Sequence, residues 1–139
     1  MADGQGDVLY TIERDQNGSG YTVVWASLTQ NQRFGESYPR LGERSSMWHP
    51  DKTLHVQGTY GGAVWKMEGS NFAPTSATDS IVYATVNDQS DNAVSGTTDL
   101  METIVHNPRH IRPILATTTA LASVQFRLTV TTGRGQMFD

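Results

Sequence analysis

Between residues 123 and 131 the chain alternates without a break: Val124, Phe126, Leu128 and Val130 are apolar, while Gln125, Arg127, Thr129 and Thr131 are polar. A period of two puts successive side chains on opposite faces of an extended strand and does not fit the 3.6-residue period of an amphipathic helix. A strand with one dry face needs a second layer to cover it. The same pattern recurs along the chain. Residues 7–13 and 21–29 are rich in β-branched and aromatic side chains, and Asn17-Gly18-Ser19-Gly20 between them is a turn sequence, which predicts an amino-terminal hairpin. Residues 54–60 and 63–68 flank Gly61-Gly62 and predict a second hairpin, with Trp65 and Met67 on one face and Val64 and Lys66 on the other. Residues 81–86 and 111–115 also read as strands. Residues 100–105 fit a strand or a short helix, because Asp99 can cap a helix and Pro108 would end one. The expected fold is all-β: a two-layer antiparallel β-sandwich, jelly-roll or discoidin-like, of about seven or eight strands.

At 139 residues the chain has the size of one domain, large enough to bury a core without disulfides or metals. Residues 30–51 are polar but carry Phe34, Tyr38, Leu41, Met47 and Trp48. A loop of this length without secondary structure of its own is uncommon in a compact domain unless it has a task. It reads as an arm that packs on its own domain or on a neighbour. The tail at 133–139 leaves the last strand through Gly133 and Gly135 and ends in the apolar pair Met137 and Phe138. Residues 72–79 and 87–98 read as surface loops.

Chemistry is harder to find. Cysteine is absent, so thiol chemistry and disulfides are excluded. A net charge of −4 with only two lysines, Lys52 and Lys66, offers no basic surface for phosphates, so nucleic acid is not an expected partner. The first seven residues lack the basic start and apolar core of a secretory signal, and no run reaches membrane-spanning length, which predicts a soluble protein made in a cytoplasm. His106 and His110 have helical chelate spacing, but Pro108 lies between them, and no metal or other cofactor is expected. The run Asp88-Gln89-Ser90-Asp91-Asn92 is oxygen-rich without the EF-hand pattern, and its Asx side chains suit local turns. No nucleophile elbow is present, and the glycines at 58, 61 and 62 precede a strand rather than a phosphate-binding helix, so no enzyme is expected. Trp25 and Trp65 lie within strand patterns and suit the core, whereas Trp48 suits either the core or an exposed anchor.

The run Val56-Gln57-Gly58-Thr59-Tyr60-Gly61-Gly62 through Gly69-Ser70-Asn71, followed after a gap by Ile111-Arg112-Pro113-Ile114 and a closing amphipathic strand, resembles a family of small β-sandwich structural proteins of tailed bacteriophages. The resemblance covers roughly residues 53 to 132. Where that family commonly continues with Asp-Gly after the Gly-Ser-Asn run, this chain has Phe72-Ala73-Pro74, which weakens any carry-over of a sugar site. Alternation predicts Arg112 outward from Ile111, and Pro113 suits an edge strand or bulge.

The resemblance implies a capsid decoration or cement protein, a virion component on the capsid surface that bridges neighbouring subunits of the major capsid protein, favoured as a homotrimer. On that expectation the arm at 30–51 and one or both termini are adhesive. Phe34, Tyr38, Met47, Trp48, Met137 and Phe138 would be apolar anchors, and Arg33, Arg40 and Arg44 would face acidic capsid surface. The alternative is a carbohydrate-binding or host-attachment module on a phage tail or fibre.

Overall fold

The computed structural model describes residues 7–14, 20–39, 51–71, 83–88, 90–106 and 108–131. Among them are nine strands and no helix: β1 (Tyr10–Arg14), β2 (Gly20–Thr29), β3 (Asp51–Thr59), β4 (Val64–Ser70), β5 (Ala84–Thr85), β6 (Ser95–Gly96), β7 (Leu100–Thr103), β8 (His110–Thr117) and β9 (Ser123–Thr131). Five form one antiparallel sheet in the order β1-β2-β9-β3-β7. In the second sheet β4 pairs with β8 along one edge, and β5 and β6 share the other.

The sheets face each other across one core. Val23, Trp25, Leu28, Leu54, Val56, Val124, Phe126, Leu128 and Val130 meet Trp65, Met67, Ile111 and Leu115, and all thirteen are fully buried. Each such aliphatic or phenyl side chain removed from water contributes roughly 1.5–3 kcal/mol. The Trp65 and Phe126 rings meet edge to face across the layers, with centroids 5.9 Å apart. The period-two pattern of β9 is realised without exception: its apolar residues are buried and its polar residues half-buried or exposed.

β1 and β2 form the amino-terminal hairpin, with Tyr10 opposite Trp25 and Arg14 opposite Tyr21. The second expected hairpin does not exist. β3 and β4 lie in different sheets, although a tight turn joins them, with Ala63 N–H donating to Tyr60 O at 2.8 Å and positive φ at Gly61 and Gly62. The reason lies in the partners. β3 runs beside β9 from Asp51↔Thr131 to Thr59↔Ser123, and β4 runs beside β8 from Val64↔Thr117 to Ser70↔His110. A second turn, Ala122 N–H to Thr119 O at 3.1 Å, joins β8 to β9. The two chains therefore form one long antiparallel ribbon that folds over at these paired turns, so each strand stays with its ribbon partner and not with its sequence neighbour.

Residues 100–105, left open between helix and strand, begin as β7 against β3. Asp99 caps no helix; its carboxylate accepts from Gly58 N–H and Tyr60 O–H. The strand expected over 81–86 is only β5 within its described part, and Ile81 and Val82 lie outside the described residues. The turn at 15–19 lies outside them as well.

The first part of the expected arm is built into the sandwich. After a turn at Thr29–Gln32, the chain runs along the outer side of β8: Leu115 N–H donates to Arg33 O, Gly35 N–H to Pro113 O, and Tyr38 and Ile111 exchange two hydrogen bonds. Pro113, which has no N–H, sits on this irregular outer side and leaves the ladder with β4 intact. The amino terminus adds to the same seam, with Glu36 N–H donating to Val8 O at 2.8 Å. On the opposite flank Asp88 bridges Ile104, and Val105 N–H donates to Asn87 O. Both flanks of the sandwich are thus stitched between sheets, which removes much of the open edge.

Candidate functional site

Strand register gives the domain two unlike ends. At one lie the paired turns, Tyr60–Ala63 and Thr119–Ala122. The other is marked by Arg14 opposite Tyr21, Gly20 and Asp51 both opposite Thr131, Ser70 opposite His110, Gly69 opposite Ala84, and Tyr38 opposite Ile111. Every described residue that borders the segments 15–19, 40–50, 72–82 and 132–139 is therefore at this second end. Of the expected contact residues, Arg40, Arg44, Met47, Trp48, Met137 and Phe138 lie outside the described residues, on segments that begin here.

Phe34 and Tyr38 are described, and both are engaged within the domain. Tyr38 is buried, meets the Tyr10 ring edge to face at 5.2 Å, and shares a 2.5 Å hydrogen bond between hydroxyls with Tyr21. Phe34 is half-buried and packs against two guanidinium groups, Arg33 at 5.9 Å and Arg112 at 4.9 Å from its centroid. Arg33 donates from Nε and Nη2 to Leu115 O and from Nη2 to Ala116 O, which secures the segment to β8.

Arg112 does alternate away from the core, but not into water: it is 4 % exposed. Phe34 and Tyr83 cover it, the Tyr83 centroid lying 3.8 Å from its guanidinium carbon, and Nε and Nη2 donate to Glu68 Oε1 at 3.2 and 3.1 Å. Lys66 approaches the other Glu68 oxygen at 3.4 Å. Alternation shows which face a residue takes and is blind to a segment that folds back over that face. Ser37 hydrogen-bonds Tyr83 on the same face, and His110 Nδ1 meets Pro39 O at 2.9 Å. Burial holds the His110 pKa below its usual value, with Arg109 adding to the effect and the Pro39 carbonyl opposing it. These groups are mutually satisfied, so the cluster ties the arm to the sheet.

Asp88 forms the expected Asx turn, accepting from Ser90 N–H at 2.8 Å and Asn92 N–H at 3.0 Å. These bonds, that from Asn92 first, hold its carboxyl below the usual range, while burial and then the neighbouring Asp88 raise Glu102. Among the described residues no three potential metal ligands come together.

The turn end carries a concave region that sequence reading missed. It has a volume of about 460 Å³ and is lined by Ala26, Ser27, Gln57, Gly58, Thr59, Asp99, Ser123 and Gln125. Ala26 and Ser27 belong to an irregularity where the β2–β9 register shifts between Trp25 and Leu28. Gln57 pairs with Gln125, and Thr59 with Ser123, across β3 and β9. Tyr60 O–H donates to Asp99 Oδ1 at 2.6 Å and Gly58 N–H to the same oxygen at 3.2 Å. Burial raises the Tyr60 pKa, and the Asp99 carboxylate raises it further, so the phenol stays a donor. Period-two reading put Gln125 on a wet face, but only the sheet order brings it beside Gln57 and Ser123.

Compared with family models, with curated proteins and with solved structures, the chain has no match in any of the three.

Proposed function

We propose that this chain is a structural protein of a tailed-bacteriophage virion, attached by its loop end to the outer face of the capsid and bridging neighbouring subunits of the major capsid protein. The observation that carries the reading is the convergence of the chain at 14, 20, 39, 51, 71, 83 and 131 on one end of a stitched sandwich. Binding segments grouped on one end of a rigid β-scaffold form one continuous surface. On this reading Arg40, Arg44, Met47, Trp48, Met137 and Phe138 make the contacts, while Phe34 and Tyr38 anchor the arm from within.

The resemblance supports the same reading. Its motif residues fall in the frame: Gly58 and Gly61-Gly62 at the fold-over, Gly69-Ser70-Asn71 at the end of β4, and Arg112-Pro113 in β8. A homotrimer would suit the threefold and quasi-threefold positions of an icosahedral shell, where many weak contacts add by multivalency. No catalytic role belongs to this reading.

The test is the copy number of the chain in purified virions relative to the major shell protein. A ratio of the same order supports decoration. A handful of copies per particle, or none, overturns it. Within a decorated particle, truncation after Thr131 is expected to lower occupancy while the isolated domain still unfolds cooperatively.

A further inference from the structure

The concave region at the turn end has a lining of one chemical kind. Ser27, Thr59 and Ser123 offer hydroxyls, Gln57 and Gln125 offer amides, and Asp99 offers a carboxylate. Among the described residues none of these hydroxyl or amide side chains is engaged in a hydrogen bond, and both side-chain bonds to Asp99 fall on Oδ1, so Oδ2 keeps its acceptor capacity. No lining residue is cationic and none is a large apolar group. A phosphate or sulfate would meet the Asp99 carboxylate with no cationic side chain in the lining to offset it, and a peptide segment needs apolar sockets for its side chains. What matches a shallow surface of amides, hydroxyls and one fixed acceptor is a ligand that presents many hydroxyls and no charge.

We infer that this depression binds an uncharged saccharide, with the Asp99 carboxylate and the Gln57 and Gln125 amides hydrogen-bonding its hydroxyls. Neighbouring ring hydroxyls both donate and accept. A carboxylate takes two donors, and a primary amide offers a donor and an acceptor side by side. Fixing these groups beforehand lowers the entropy lost on binding. Asp99 is fixed by Tyr60 and Gly58. The backbone positions that carry the two glutamines are fixed by strand pairing in the middle of the five-stranded sheet. At Gly58 a β-carbon would run into the Ser123 carbonyl, so only glycine permits this close approach of β3 to β9 beneath the site.

The depression lies at the end opposite to the converging segments, so its occupation does not compete with attachment through them. The inference does not depend on the capsid reading and is tested on the isolated chain.

The experiment is an array of oligosaccharides terminating in glucose, galactose, mannose or N-acetylglucosamine, with sialylated and sulfated counterparts, probed with the 139-residue protein. Hits are followed by titration monitored by NMR. Binding of neutral glycans, weakened at least tenfold by Gln57→Ala and by Asp99→Asn, is the expected result. Gln57→Ala removes an exposed side chain and leaves the strand intact, so it decides the matter if Asp99→Asn disturbs the turn. No binding of neutral glycans at millimolar concentration, binding restricted to anionic glycans, or binding unchanged in Gln57→Ala would each overturn the inference.

Discussion

Gly35 is where the arm passes closest to the sandwich, and replacing it by alanine tests whether that segment is part of the fold. A β-carbon there would lie 2.6 Å from Cδ and Cγ of Pro113 and 2.8 Å from Cδ1 of Trp25. Neither neighbour yields easily. Pro113 is held in β8, and Trp25 is fully buried with its indole N–H donating to Glu36 O at 2.9 Å. The chain can absorb the overlap at roughly 1–3 kcal/mol, the usual range for an overpacked core. Alternatively it can lift the segment and lose the bonds Gly35 N–H to Pro113 O and Glu36 N–H to Val8 O, at roughly 0.5–1.5 kcal/mol each. Lifting also uncovers Tyr38, so the strained packing is the cheaper route and Gly35→Ala is expected to cost about 2–3 kcal/mol. For a chain of this length that corresponds to a fall in Tm of about 6–12 °C. Urea unfolding followed by tryptophan fluorescence measures it. Pro113→Ala in the same chain removes one of the two obstacles and is expected to restore about 1 kcal/mol relative to additivity. A loss under about 0.5 kcal/mol, or a double variant that is merely additive, would refute the claim that residues 32–39 are packed as a structural seam.

Arg112→Ala leaves Glu68 buried without its main partner and is expected to cost about 3–5 kcal/mol, whereas Arg112→Met with Glu68→Gln costs clearly less, both read by urea denaturation. His110 is expected to make stability pH-dependent. Its folded pKa is depressed, so the unfolded chain takes up the proton first, and stability present above about pH 6.5 is lost as pH falls through the folded value. Thermal melts from pH 8 to pH 5 should show that decline, and His110→Gln should flatten it. Gly61→Ala combines a positive φ with a β-carbon only 2.7 Å from Leu121 Cβ, and a loss of about 1–3 kcal/mol is expected in the same assay.

The layers of this fold were legible in the chain because they depend on local alternation. β9 and the shared inward face of Trp65 and Met67 follow from a period of two, and the β1–β2 hairpin follows from its β-branched and aromatic runs. Pairing was not legible. Gly61-Gly62 has the chemistry of a hairpin turn, yet the strands it joins separate, because β9 and β8 offer each of them a longer partner from far along the chain. Lys52 shares the inward parity of Leu54 and Val56 and is 1 % exposed, a place its residue type does not suggest. The turn-end depression was invisible for the same reason as the pairing: its polar groups come from β2, β9, β3 and Asp99, and no stretch of sequence contains them together. The arm was legible in part. Its excess of apolar groups signalled packing, and Phe34 and Tyr38 do pack, but which face they would cover depended on β8.

The folded-over ribbon also sets how this protein must fold. Its pair nearest in sequence is Ser70 with His110, and its most distant is Asp51 with Thr131. Closing the first requires a long intervening segment to give up its freedom before any contact compensates, whereas each later pair, through the fold-over and along β3 and β9, adds little further closure entropy. Topologies of this kind fold in milliseconds to seconds. Because pairs along the whole ribbon share one closure, unzipping from Asp51 and Thr131 regains little of that entropy until the ribbon has largely come apart. Slow unfolding follows from the order of the strands, because the same closure that delays the first pair protects every later one.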